Sequence, residues 1–372
     1  MKNKIISLAL IAGLAACSGG NPFDDPEEGT GGGTGGGTDG GTIGDGGGTG
    51  INRDGIPPGT TAPSPGSAIF RSEERGTGEG AEQGNGFATG IAYKSASDTF
   101  SVDNLAFDGD RPYARGTAVS SLNNNAAGVG QFNVYEGPTT AIDPISGEQV
   151  NQYIYRAVYG VSRNRIANAD GTPGTAPTTQ FAIVRTGSYI NYGFGGFIYQ
   201  RDTSVSLPDN LQATFTGKAA GLRDFSAATG LQYTTADVRI NVDFQDFNDG
   251  ESVRGDGVNG SIFNRRILDL QGTDITEQVA GELGEDVTAI PNAGFIVGPD
   301  VLDNNGDLVT DIFTQIPNAD GTFTPYETGT FYAIVSGANP NEIVGVFVLE
   351  STSAGSRDTS GFIVYRGDPA TP

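Results

Sequence analysis

The chain of 372 residues has 59 Gly, one Cys, one Met, no Trp and no His, and a formal net charge of −23 at pH 7. Without histidine and with a single cysteine it cannot build a Ser-His-Asp or Cys-His site, nor a zinc site from soft ligands, and its acidity repels nucleic acid and anionic lipid. The length allows two ordinary domains and a tail, and the scarcity of Trp and Met weighs against a large helical core while Tyr, Phe, Val, Ile and Thr supply strands.

Met1-Lys2-Asn3-Lys4 is basic, Ile5 to Gly13 is apolar, and Leu14-Ala15-Ala16-Cys17 ends the segment in small residues, the plan of a secretory signal too short to span a bilayer as a mature helix. Leu-Ala-Ala-Cys resembles the lipobox of bacterial lipoproteins. The resemblance implies removal of residues 1–16 and acylation of Cys17 with palmitate-type chains that hold the protein to a membrane. Ser18 follows, where lipoproteins retained in the inner membrane commonly carry Asp, so a lipid-anchored, outer-membrane and cell-surface location is expected. Processing would leave 19 Lys and Arg against 44 Asp and Glu, a net charge of −25. That acidity either keeps an exposed protein soluble or attracts a basic partner.

Residues 17–65 read as a flexible tether, since Gly29–Gly50 holds 14 Gly and 5 Thr in 22 residues and can pack no core. A coil of this length spans roughly 40 Å, with a taut limit of about 160 Å. The run lacks the Asp spacing and apolar residues of calcium-binding nonapeptide repeats.

Residues 66–187 read as a mostly antiparallel, loop-rich β region. Gly86–Phe107 forms a hairpin about Ser95–Asp98, and Gln131–Tyr135, Gln152–Val161 and Gln180–Thr186 are strands separated by polar loops such as Ala167–Thr179. No segment has a convincing helical period. From Ser188 the strands become regular, at Tyr189–Arg201, Gln212–Gly221, Gln232–Phe244, Gly257–Leu268, Ala293–Val297, Asp307–Gln315, Thr330–Ser336, Ile343–Glu350 and Phe362–Arg366. Ala236, Val238, Ile240, Val242 and Phe244 alternate with Asp237, Arg239, Asn241 and Asp243, the period of a strand buried on one face. Roughly eight such strands over 188–372 predict an antiparallel barrel, whose aromatic and branched side chains favour a filled interior over a ligand cavity.

Near the C-terminus, Gly337-Ala338-Asn339-Pro340-Asn341-Glu342-Ile343-Val344-Gly345-Val346-Phe347 joins two strands through a Gly/Asn/Pro corner. It resembles the strand-corner-strand element of transferrin-binding-protein-like surface lipoproteins, with Pro340 and Val344 as departures. Thr214-Phe215-Thr216-Gly217, Val242-Asp243-Phe244 and Gly260-Ser261-Ile262-Phe263-Asn264 are similar to other parts of that family's barrel. The resemblance implies an N-terminal handle before the barrel, and a binding module for a protein or solute, including a co-receptor role beside an outer-membrane iron- or haem-uptake receptor. A structural or adhesive surface lipoprotein is the alternative.

Other motifs point to turns. Gly255-Asp256-Gly257-Val258-Asn259-Gly260 has the glycine spacing of a dinucleotide loop but opens a strand instead of a helix. Arg254-Gly255-Asp256 is a bare adhesive tripeptide. Asp246–Glu251 and Asp303–Asp307 offer calcium-type oxygens without EF-hand order, and hairpin corners favour the same residues. The aromatic run Tyr189, Tyr192, Phe194, Phe197 and Tyr199 either presents rings to a partner or packs against its glycines. Among 44 acids close carboxylate pairs are unavoidable, so no hydrolase follows. No catalytic residue, metal site or cofactor is expected, and Cys17 is the one site residue.

Overall fold

The computed structural model describes residues 52–53, 69–73, 86, 88–123, 131–245, 257–284, 287–295, 302, 304–318 and 320–367. The signal segment, Cys17 and all of the tether but Asn52–Arg53 lie outside these.

The first half contributes β1 (Asn52–Arg53), β2 (Ile69–Ser72), β3 (Thr89–Lys94), β4 (Thr99–Asp103), β5 (Tyr113–Arg115), β6 (Ser121–Leu122), β7 (Phe132–Glu136), β8 (Thr140–Ile142), β9 (Gln149–Asn151), β10 (Tyr155–Val161), β11 (Arg165–Ala167), β12 (Pro173–Pro177), β13 (Thr179–Thr186) and β14 (Gly195–Arg201). A ten-stranded sheet runs β1-β3-β4-β5-β7-β10-β13-β14-β2, with β6 beside β7, while β8–β9 and β11–β12 pair only with each other. Pairing is antiparallel throughout the sheet except between β1 and β3. The hairpin about Ser95–Asp98 forms as expected, as β3–β4.

The second half contributes β15 (Gln212–Phe225), β16 (Gln232–Asp243), β17 (Gly257–Leu268), α1 (Thr276–Gly281), β18 (Ala293–Phe295), β19 (Asp307–Pro317), β20 (Phe323–Ser336), β21 (Glu342–Ser351) and β22 (Ser356–Arg366). β15 to β22 close into an eight-stranded antiparallel barrel, with β15 against β22. One expectation is corrected. Tyr189–Arg201 does not open the barrel: β14 pairs with β13 and β2, so the sheet runs on past residue 188 to Arg201 and the barrel begins at Gln212. The regular strand signal misled because β14 is buried on both faces, as barrel strands against the sheet also are.

Three apolar layers result. Inside the barrel, Phe215, Val238, Ile240, Phe331, Phe347 and Phe362 belong to a continuous core, so the interior is filled. Between barrel and sheet a second core joins Phe181, Ile183, Phe197 and Tyr199 of the sheet to Leu222, Tyr233, Val344, Val346 and Ile363 of the barrel wall. On the far face of the sheet, Phe100, Tyr113, Tyr135, Tyr155 and Tyr159 pack together. Alternation therefore sends Phe181 and Ile183 of β13 toward the barrel and Ala182 and Val184 away from it. At this seam the Phe181 ring sits on Gly361, where an added Cβ would lie 2.2 Å from a ring carbon. α1 was not foreseen, because six residues are too few to show a period; Val279 and Ala280 bury it against Ile267 and Ile290.

Candidate functional site

The cleft where the β5–β7 connection overhangs the outer wall of β15, β16 and β17 is the candidate site, with a volume of about 620 Å³. Local hydrogen bonds shape the overhang. Gly116 N donates to Val134 O (2.9 Å), Val134 N donates to Ser120 O (3.1 Å), and β6 adds to the edge of β7. Asn123, at φ +54°, then reaches across and donates from Nδ2 to Ala219 O of β15 (2.8 Å), tying the overhang to the barrel.

The opposite wall is built from residues that strand alternation turns outward. Lys218 and Asp237 face each other across the β15–β16 ladder and form an ion pair. Asn264, whose positive φ marks an irregular point in β17, donates from Nδ2 to Asp237 Oδ2 (2.6 Å). Arg266 pairs with Asp274 at 2.5 Å. Burial of Asp274 is outweighed by hydrogen bonds from Thr276 and by Arg266, which together hold its carboxyl below the usual carboxylate range. Val119, Leu122, Ala236 and Leu268 supply apolar lining. The cleft thus sets cationic and anionic groups, an amide and the hydroxyls of Ser120, Ser121 and Thr235 over apolar surface. Such a lining suits reversible binding of a polar solute or a peptide. The hydroxyls have no imidazole to activate them in a chain without histidine.

Few residues singled out from the sequence meet here. Cys17, Asp246–Asp249, Gly250-Glu251 and Arg254-Gly255-Asp256 lie outside the described residues, as does Asp303. Gly257–Gly260 runs straight into β17, a strand as expected. Asp307 is no calcium ligand, because Arg71 occupies its carboxylate from Nε (3.2 Å) and Nη2 (2.6 Å). The aromatic run goes to packing: Phe197 and Tyr199 enter the seam, Phe194 packs tilted against Tyr189 with ring centroids 5.0 Å apart, and Tyr192 lies under the Arg357 guanidinium at 4.4 Å. Sequence reasoning did not single out Lys218 or Arg266, and it marked Asn264 only as the end of the Gly260–Asn264 strand motif. Only the outward phase of the alternating strands marks them, and it marks every exposed strand residue equally.

Fold and cleft together define a class: a filled β-barrel fused to a curled sheet, with a polar cleft at their junction. No known family profile matches the chain, and no curated protein does. Solved structures that it resembles include a double mutant of the vaccine antigen transferrin binding protein B from Haemophilus parasuis Hp5, at 10% identity and TM-score 0.34, covering 73% of this chain and 43% of that one. Others are intact Ap-TbpB with its N and C lobes, at 10% identity and TM-score 0.32, covering 72% and 44%, and a surface lipoprotein at 10% and 0.26, covering 56% and 83%. The chain spans less than half the length of these transferrin binding protein structures. At such identity and scores the likeness assigns no function.

Proposed function

We propose that this protein is a lipid-anchored surface lipoprotein that works as a binding module, held to the outer membrane through acyl chains on Cys17 and displayed by the tether of residues 17–65. The observation that carries binding is the apolar core shared by the sheet and a filled barrel, beside which Lys218, Asp237, Asn264 and Arg266 line the junction cleft as a polar recess. The Leu14–Cys17 sequence supports the anchor. The likeness of Gly337–Phe347 to transferrin-binding-protein-like lipoproteins brings a co-receptor role in iron or haem uptake into the reading, with a protein or solute as ligand. Cells making the native protein should incorporate labelled palmitate into it and lose the sheet and barrel to externally added protease. Cys17→Ser should abolish the label and release the chain. Persistent labelling of that variant, or full protection from protease on intact cells, would overturn the proposal.

A further inference from the structure

Among the described residues, six of the seven large hydrophobic side chains left exposed lie at one end of the sheet, Ile190 in the β13–β14 loop and the other five, Phe107, Ile142, Ile145, Val150 and Ile154, around the β8–β9 hairpin. Ile145 is 95% exposed, Phe107 58% and Ile142 54%. Backbone contacts gather them. Tyr153 N donates to Phe107 O (2.8 Å), and their rings lie 5.2 Å apart. Gln152 N donates to Thr139 O (2.9 Å) at the base of the β8–β9 hairpin, which bonds to no other strand. Phe107 also adopts φ +54°, a costly conformation for a bulky residue, without burying its ring.

The hairpin carries apolar residues on both faces. Val150 is opposite Ala141, whereas Ile142 is opposite Gln149 on the other face, and Ile145 caps the turn. The Val150 face turns toward Gly109, where an added Cβ would lie 3.7 Å from Ala141 Cβ, so Ile142 and Ile145 at the tip are the side chains left to enter a groove. Charge narrows the occupant further. Residues 138–154 include Asp143 and Glu148 but no Lys or Arg, and the Phe107 loop adds Asp108 and Asp110 against a single cation, Arg111, within a chain of net charge −23. A second copy of this chain or an anionic membrane would be repelled.

We infer that the β8–β9 hairpin and the adjoining Phe107 loop are a docking finger for another protein, one with an apolar groove rimmed by Lys and Arg. The site is separate from the junction cleft and rests on the fold alone, so its failure would leave the acylation reading untouched.

The test places a photocrosslinking amino acid at Ile145 of the full acylated protein on the cells that produce it, and in parallel at Phe323, which is exposed on β20. The expected result is one discrete protein adduct from position 145 that position 323 does not give. Its linked peptide should be apolar and flanked by Lys or Arg. Affinity of that purified partner should fall about tenfold or more on Ile142→Ser with Ile145→Ser, and fall with added salt, while the melting temperature of the variant stays that of the parent. An adduct between two copies of this chain, an adduct to lipid, no discrete protein adduct, or an affinity indifferent to the double substitution would each overturn the inference.

Discussion

Arg71 of β2 and Asp307 of β19, 236 positions apart in the chain, form a two-pronged ion pair of 2.6 and 3.2 Å, with both side chains at most 2% exposed. Arg185 and Arg201 make the same crossing, the first to Thr359 Oγ1 (3.1 Å) while Glu73 of its own sheet holds its guanidinium, the second to Val335 O (2.7 Å) and Asn305 O (3.0 Å). The seam therefore has polar fasteners set beside its apolar core. Removing one member of a buried pair leaves an uncompensated charge. Asp307→Asn is expected to cost about 3–5 kcal/mol in denaturant melts, and Arg71→Met combined with Asp307→Leu should recover much of that loss.

Glu342 is the acid of the Gly337–Phe347 element, and it faces the sheet. Its carboxylate accepts hydrogen bonds from Ser162 Oγ (2.5 Å), Asn164 Nδ2 (2.9 Å) and Thr178 Oγ1. Burial pushes its pKa above the ordinary 4.5 despite these donors. A raised folded pKa means that the fold prefers the protonated acid. This contribution is fully present below pH 4.5 and is lost as pH rises through the folded value. Glu342→Gln should thus match the parent near about pH 4 and gain on it as pH rises, as read from unfolding free energies across pH. A constant difference would contradict the shift.

These fasteners were invisible in the sequence. Nothing in the local pattern distinguishes Arg71, Arg185, Arg201 or Glu342 from surface charges, because their partners lie far away in the chain. The barrel was legible for the opposite reason: each of its eight strands is marked by local alternation or by an apolar run bounded by turn residues. β16 shows this best, since its outer face meets water at Arg239, whereas β21 reads as a continuous apolar run because Ile343 and Phe347 fill the barrel and Val344 and Val346 fill the seam. That double burial also led β14 to be read as a barrel strand. The short strands β1, β2, β5, β6, β8, β9, β11 and β12 do not show in the sequence because two to five residues carry no clear period, and the stretch Ala167–Thr179, expected as a polar loop, holds β12 of the β11–β12 hairpin.

Neighbouring residues on β16 should respond very differently to the same new charge. Ile240 is fully buried in the barrel core, whereas Asn241 sits in an outer ladder with Thr214 (2.9 Å) and Asn259 (2.8 Å). Ile240→Asp is expected to cost several kcal/mol, roughly 3 or more, and Asn241→Asp less than about 1 kcal/mol. Equilibrium urea melts of the two variants make the comparison.

Gly345 is needed for space. A Cβ there would lie 2.1 Å from Tyr332 O and 2.6 Å from the Phe362 ring. Gly345→Val should lower the melting temperature sharply, because a cross-strand carbonyl cannot yield as a flexible side chain can.

The central structural claim is that sheet and barrel unfold as one body, so that the cleft between them is preformed. The chain has no tryptophan, which allows an introduced indole to report one half alone. Tyr93→Trp places it in the sheet, beside Tyr135 and Tyr159, and Phe263→Trp places it on the barrel wall. In guanidinium melts followed by tryptophan fluorescence, the two variants should give a single transition with coincident midpoints that match circular dichroism. Two separated midpoints, with one half melting while the other stays folded, would contradict the account.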